Sequence, residues 1–203
     1  MKTLIVTDVQ NDFLPGGALE VPGSDVIVPI INRLMPHFDL VVAGQDWHPP
    51  DHASFASNHP GRQPFEEIDL DGIRQKLWPD HCVQGSVGAE FSSRLDTRPF
   101  EAIFRKGTDP AIDSYSTFFD NAHRKSTGLA DYLRGKGARE LWLCGLAGDI
   151  CVYFSALDAL AQGFGVNLIA DASTPLDAAI QPTRLAELRA RGAHVVESAS
   201  IAT

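Results

Sequence analysis

At 203 residues, with 44% hydrophobic and 21% charged side chains, the chain has the size and composition of one soluble globular domain with a substantial core. Its 17 basic against 26 acidic residues leave a net charge of −9, which argues against nucleic acid or an anionic membrane as partner, since both call for clustered Lys and Arg. No apolar run reaches membrane-spanning length, and the first residues, Met1 to Asp8, are too short in apolar character for a signal peptide. The three cysteines, Cys82, Cys144 and Cys151, lack a C-x-x-C spacing and fit a reducing cytoplasm.

In chain order, the run Leu4-Ile-Val6 predicts a first strand over 3–7. Ser24 is placed to cap a helix whose apolar stripe is Ile27, Ile30, Ile31 and Leu34. A second strand is expected over 40–44. From Asp46 to about Phe100 the pattern breaks: prolines and histidines are frequent, and the one expected element is a short helix around 70–77. Long loops in compact domains are usually functional, and this one has too few apolar residues for a core of its own. It reads as an excursion over about 46–100 that builds one side of a site. A third strand is expected over 102–105, and a helix near 128–135 that Gly135 and Gly137 stop. A fourth strand over 141–145 leads to a helix opened by Asp149, with Ile150, Tyr153, Phe154, Leu157 and Leu160 on one face. A fifth strand over 166–170, a helix over 183–191 and a sixth strand over 194–196 complete the chain. Strands alternating with helices predict a single doubly wound α/β domain over 1–203, with a mostly parallel six-stranded sheet and helices on both faces.

In such sheets ligands bind beyond the carboxyl ends of the strands. Asp8 follows the first strand, Asp46 the second, Lys106 the third and Cys151 the fourth, so parallel strands bring all four to one edge. Cys151 stands at a helix start, where unpaired N–H groups and the helix dipole favour a thiolate and can hold an oxyanion. Asp8 beside it can take the thiol proton and return it to a leaving amine, while Lys106 keeps Asp8 ionised and favours the thiolate. A Cys–Asp–Lys set suits attack on a carbonyl to give a thioester that water hydrolyses. No histidine is placed to pair with Cys151. Asp46 and His48, one residue apart, can reach one ion, with His52, His59 and His81 further along. Two histidines and a carboxylate with open positions suit Zn²⁺ or Fe²⁺. Cys82 and Cys144 read as buried.

These residues carry a family resemblance over nearly the full length. Asp8-Val-Gln-Asn-Asp-Phe13, Asp46-Trp-His48-Pro, Trp78-Pro-Asp-His81-Cys82-Val83, Arg105-Lys106-Gly107 and Gly145-Leu-Ala-Gly-Asp-Ile-Cys151-Val152 resemble the nicotinamidases of the isochorismatase-like cysteine hydrolases. The resemblance implies that Cys151 is the nucleophile, with Asp8 and Lys106 completing a triad. It also implies an oxyanion hole from the amides of Ala147 and Cys151, with a cis peptide before Ala147. Asp46, His48 and His81 would bind one divalent ion, Zn²⁺ ahead of Fe²⁺ or Mn²⁺, whose open position takes the pyridine nitrogen of nicotinamide. Phe13 and Trp78 would flank the ring and Tyr115, in Asp113-Ser-Tyr-Ser116, would close the pocket. His52 matches a position that ligates in some members of the family and not in others.

The expected activity is hydrolysis of nicotinamide to nicotinate and ammonia in NAD salvage, with pyrazinamide as a related substrate. The residues by themselves reach a thiol-dependent carbonyl hydrolase beside a metal. At that level three alternatives stay open: an amidase of the same superfamily acting on another small amide, a non-catalytic metal or small-molecule binder, and a thiol redox protein. Monomer and homo-oligomer are equally open.

Overall fold

The central strands are apolar on both faces, which is what a parallel sheet between two helical layers requires. A computed structural model describes residues 1–201. In β1 (Lys2–Thr7) every residue after the first is buried, and in β2 (Leu40–Asp46) every residue is. With β5 (Phe100–Lys106), β6 (Glu140–Leu146), β7 (Gly165–Thr174) and β8 (His194–Val196) they form one six-stranded sheet in the order β5-β2-β1-β6-β7-β8. Every pairing in it is parallel. Side chains alternate between two cores. Leu4 and Val6 face one core together with Ile27 and Ile31 of helix α1 (Ile27–Leu34). Ile5 faces the other with Leu133 of α2 (Leu129–Lys136) and Val152 and Ala156 of α3 (Cys151–Ala161). Helix α4 (Gln181–Ala190) packs on α3 and β8.

The chain builds outward from β1 through β2 to β5, then returns to the other side of β1 as β6. This reversal opens a crevice beyond the carboxyl ends of β1 and β6, where ligands bind in open α/β sheets.

All six expected strands are present, extended by a few residues, and so are the four main helices. The expectation of a helix around 70–77 is corrected. The segment is an antiparallel hairpin of β3 (Glu67–Leu70) and β4 (Ile73–Lys76). Asp71 and Gly72 at its turn both have positive φ, 54° and 82°, the conformation of the two-residue hairpin turn that Asp-Gly favours. Two caps also differ. The Ser24 hydroxyl donates to the Phe13 carbonyl across the fold and leads a short 3-10 turn (Ser24–Val26) ahead of α1. Asp149 accepts from the amides of Leu176 and Asp177, so it ties the loop after β7 to the start of α3 and does not cap α3 itself. The most buried face of α3 carries Val152, Ser155, Ala156 and Ala159, with Phe154, Leu157 and Leu160 only half-buried at its flank. Small residues let α3 sit close on β6 and β7.

Gly145 is needed where β6 passes β1. It pairs in register with Thr7, has φ +121°, and a Cβ there would stand 2.0 Å from the Thr7 carbonyl oxygen. Because backbone is what it would strike, no side-chain rotation relieves the contact. Gly145→Ala is expected to cost at least about 2 kcal/mol and lower the thermal unfolding midpoint by at least about 4 °C. An unchanged midpoint in a thermal scan would refute this account of the strand approach.

Candidate active site

Four strand ends deliver four functional groups to the crevice. Asp8 directly follows β1, Asp46 ends β2, Lys106 ends β5, and Cys151 opens α3 after β6. Lys106 lies at the centre with its side chain wholly buried. Its Nζ stands 2.9 Å from Asp8 Oδ2, 2.5 Å from Asp46 Oδ1, 3.0 Å from the Ser114 carbonyl and 3.5 Å from Cys151 Sγ. A carboxylate oxygen of Asp8 and Cys151 Sγ lie within 4.8 Å of each other. Gln10 fixes Asp46 by its backbone: its side chain accepts from the Asp46 amide and donates to the Asp46 carbonyl, both at 2.8 Å.

The electrostatics differ from the expectation at Cys151. Burial pushes its thiol well above the usual range; Lys106 pulls it down, but Asp8 and Asp46 push it up again. The helix start therefore does not yield a standing thiolate, because desolvation and two carboxylates outweigh one ammonium. Asp8 is pushed up to about 7, first by burial, against the pull of Lys106 and with a further push from Asp46. Among the described residues no backbone amide or hydroxyl donates to either Asp8 oxygen. Asp46 behaves in the opposite way: although burial opposes it, Lys106, His48 and His81 hold it well below the usual carboxylate range.

Asp46 Oδ2 faces a second constellation. His48 Nε2 is 3.6 Å and His81 Nε2 3.8 Å from it, and all three residues are buried. The Nδ1 atoms of His48 and His81 lie 3.0 and 2.7 Å from the carbonyls of Gly107 and Pro79. Each Nδ1–H donating to a carbonyl leaves Nε2 as a lone-pair donor turned toward Asp46, the arrangement that metal-ligating histidines use. Two imidazoles and a carboxylate converging this closely fit a divalent ion. His52 is also buried. Its Nδ1 lies 2.7 Å from Ser54 Oγ and its ring packs 4.5 Å from that of His48. His59 is turned away, its Nε2 bonded to the Ala53 carbonyl.

Cys151 from the first constellation and Asp46, His48 and His81 from the second line one cavity. Phe13, Trp78 and Tyr115 line it, with Trp78 edge-on to Tyr115 at 6.1 Å and Phe13 5.5 Å from His81. The Leu146–Ala147 peptide is cis. Among the described residues neither the Ala147 nor the Cys151 amide donates to a backbone carbonyl, so both N–H groups are free at the cavity wall. Leu19, Val21, Leu176 and Asp113 also line the cavity without a sequence expectation, and so does Ile150, which the sequence places on the apolar face of its helix. Leu19, Val21 and Leu176 come from loops, where periodicity carries no signal. Cys82 and Cys144 are buried free thiols away from this lining.

The profile described as an isochorismatase domain matches residues 2–200. The chain is 48% identical over 174 residues to the nicotinamidase of Escherichia coli (strain K12), spanning 84% of this chain and 81% of that one. Among solved structures, the nicotinamidase pyrazinamidase of Acinetobacter baumanii superposes with a TM-score of 0.96 at 44% identity, covering 98% of this chain and 97% of its own. The pyrazinamidase of Pyrococcus horikoshii in complex with zinc gives a TM-score of 0.80 at 38% identity, covering 97% and 98%.

Gly107, next to Lys106, also makes room for the cluster. A Cβ there would lie 2.2 Å from His48 Cε1, at a φ of +63°. Gly107→Ala is expected to turn the His48 ring away from Asp46 and weaken Zn²⁺ binding by at least about tenfold. Chelator competition checks this, and wild-type affinity in the variant would show that His48 needs no such cradle.

Proposed function

This chain belongs to the isochorismatase-domain family, on its nicotinamidase branch, and from that premise we propose that it hydrolyses nicotinamide to nicotinate and ammonia. The observation that carries the reading is the contact of Lys106 with Asp8, Asp46 and Cys151 beside the cavity that Asp46, Cys151, His48 and His81 line. An amide-cleaving set and a donor set for a ring nitrogen thus face one small aromatic-walled space. Three buried cysteines without a disulfide among them do not favour a redox role.

The residues act as follows. Phe13 and Trp78 flank the flat ring, and Tyr115 closes the pocket over it. A divalent ion held by Asp46, His48 and His81, Zn²⁺ ahead of Fe²⁺ or Mn²⁺, supplies a Lewis-acid position for the pyridine nitrogen when bound. Cys151 Sγ attacks the carboxamide carbon while its proton passes to Asp8. The carbonyl oxygen gathers negative charge, and the free amides of Ala147 and Cys151 donate to it. Asp8 then returns the proton to the nitrogen, the C–N bond breaks, ammonia leaves and a thioester remains on Cys151. Asp8 next takes a proton from water as it attacks the thioester carbon. The C–S bond breaks, the thiol regains its proton, and nicotinate departs. Lys106 stabilises the negative charge that moves between sulfur and carboxylate in each half.

Ammonia release from nicotinamide tests the reading, with benzamide as the control that has the amide but no ring nitrogen. Nicotinamide is expected to be turned over efficiently, benzamide poorly, and neither by Cys151→Ala. Efficient hydrolysis of benzamide by metal-stripped protein would refute the ring-nitrogen part of the proposal.

The base assignment carries a pH dependence. Asp8 must be ionised to accept the thiol proton, and its raised pKa of about 7 means that the protonated, inactive form dominates below that pH. kcat/KM is expected to fall about tenfold per pH unit on the acid side of about pH 7 and to level above it. Asp8→Asn keeps the shape but cannot accept the proton, so it should lose roughly 10²-fold or more at every pH. A wild-type profile flat from pH 5 to 8 would remove Asp8 from this role.

A further inference from the structure

Asp113 is a buried carboxylate on the cavity wall that the hydrolytic reading leaves without a task. Its Oδ1 accepts from the Ser114 amide at 2.7 Å and its Oδ2 from Gln75 Nε2 at 3.1 Å. Both donors are neutral. Among the described residues no lysine or arginine forms an ion pair with it, in contrast to Asp8 and Asp46, which share Lys106. A buried carboxylate is expensive unless a cation meets it. Its neighbours identify that cation. Ligand atoms of Asp113, His48 and His52 lie within 4.8 Å of one another, and His48 also belongs to the Asp46–His48–His81 set. His48 is common to both groups, and its Nδ1 is engaged with the Gly107 carbonyl. His52, wholly buried, has an Nε2 with no hydrogen-bond partner.

The charge balance points the same way. Asp46 is the one carboxylate among the three proposed ligands, and its Oδ1 already answers Lys106. A divalent ion held there faces only part of one negative charge from its own ligands. A carboxylate oxygen of Asp113 stands within 4.8 Å of a His48 ring nitrogen, and among the described residues no lysine or arginine pairs with it.

We propose that Asp113 is the counter-charge of the bound divalent ion, a positioning residue outside the Asp46–His48–His81 set that makes a doubly charged ion stable at this buried site. The proposal rests on the metal-binding part of the function proposed above. It also explains Gln75: its Nε2 donates to both Asp113 and the Tyr115 hydroxyl at 3.2 Å, so the β3–β4 hairpin orients the carboxylate while adding no charge.

The test is binding of Zn²⁺ alone, with no substrate, by competition with a chelating dye, together with thermal unfolding of metal-free and zinc-loaded protein. Asp113→Asn should weaken Zn²⁺ binding about 10- to 100-fold. It should leave the metal-free midpoint unchanged or raise it, because an unpaired buried charge is gone, while the midpoint gain on adding zinc shrinks. Gln75→Met, which keeps the carboxylate, should bind Zn²⁺ within about threefold of wild type. Wild-type affinity in Asp113→Asn would overturn the proposal. So would an equal loss in both variants, or a fall in the metal-free midpoint of Asp113→Asn, since either marks Asp113 as a structural tie for the hairpin. Failure of the wild type itself to bind Zn²⁺ would overturn the metal reading and this inference together. Normal zinc binding by both wild type and Asp113→Asn would overturn the inference alone.

Discussion

A lysine ammonium can be buried only where negative charge meets it, and Lys106 is wholly enclosed between Asp8 and Asp46. Removing either carboxylate would leave the buried cation underpaired, a loss of about 3–5 kcal/mol in comparable pairs. An ammonium has three N–H donors and no acceptor, and here they face two carboxylates, the Ser114 carbonyl and the Cys151 sulfur. A compact point charge suits that crowding better than a planar guanidinium, which is built for one bidentate partner. Through Asp46 the same lysine joins the two halves of the site: Oδ1 meets the ammonium and Oδ2 the histidine pair. The proton-transfer group and the proposed metal ligands are therefore one electrostatic unit.

That unit depends on topology. Asp8, Asp46, Lys106 and Cys151 are spread over more than half of the chain, yet Asp46 and Lys106 end, Asp8 directly follows, and Cys151 opens the helix after one of four adjacent parallel strands. Register sets the contact: Asp46 pairs directly with Lys106 across β2 and β5, while Thr7, one residue before Asp8, pairs with Gly44 and Gly145. A one-residue slip in β5 would turn the Lys106 side chain to the opposite face of the sheet. β5 alternates exposed Glu101, Ile103 and Arg105 with half-buried Phe100, Ala102 and Phe104, and that one-sided burial is what forbids such a slip. Core packing thus fixes the geometry of the site as well as the stability of the sheet.

The strand ends were legible because β-rich runs and helical stripes alternate along the chain, and that alternation alone brings four polar residues to one edge. The Asp46–His48 pair was legible for a similar reason, since alternate residues of an extended segment share a side. Elements without periodicity were not. The hairpin over 67–76 differs from the helix expected around 70–77: Glu67-Ile-Asp-Leu70 alternates and Asp71-Gly72 carries the turn signal, but Ile73-Arg-Gln-Lys76 does not alternate, so the second strand has no period-2 pattern. Asp149 follows the composition rule for a helix cap but is drawn to the amides of Leu176 and Asp177, a contact separated by 27 and 28 residues that no local rule reports. Asp113 lies two residues before Tyr115 in a run that reads as a polar turn, and only the packed structure buries it against the histidines. What stayed hidden in each case was a long-range partner.

The raised thiol of Cys151 is the difference with the greatest chemical consequence. A helix start argues for a thiolate when the sulfur is open to water and alone with the dipole. Here burial and two carboxylates dominate, so the resting pair of Cys151 and Asp8 keeps its proton on sulfur. A nucleophile held as thiol is less open to oxidation and alkylation between turnovers, because those reactions need the thiolate. In the proposed mechanism this costs little, since a base whose pKa lies near the working pH would remove the proton efficiently in the step that forms the C–S bond. The two carboxylates beside Lys106 therefore divide the work by their surroundings. Asp46, with histidines on its far oxygen, stays ionised and fixed, whereas Asp8, lacking any backbone donor, is free to gain and lose a proton near neutrality.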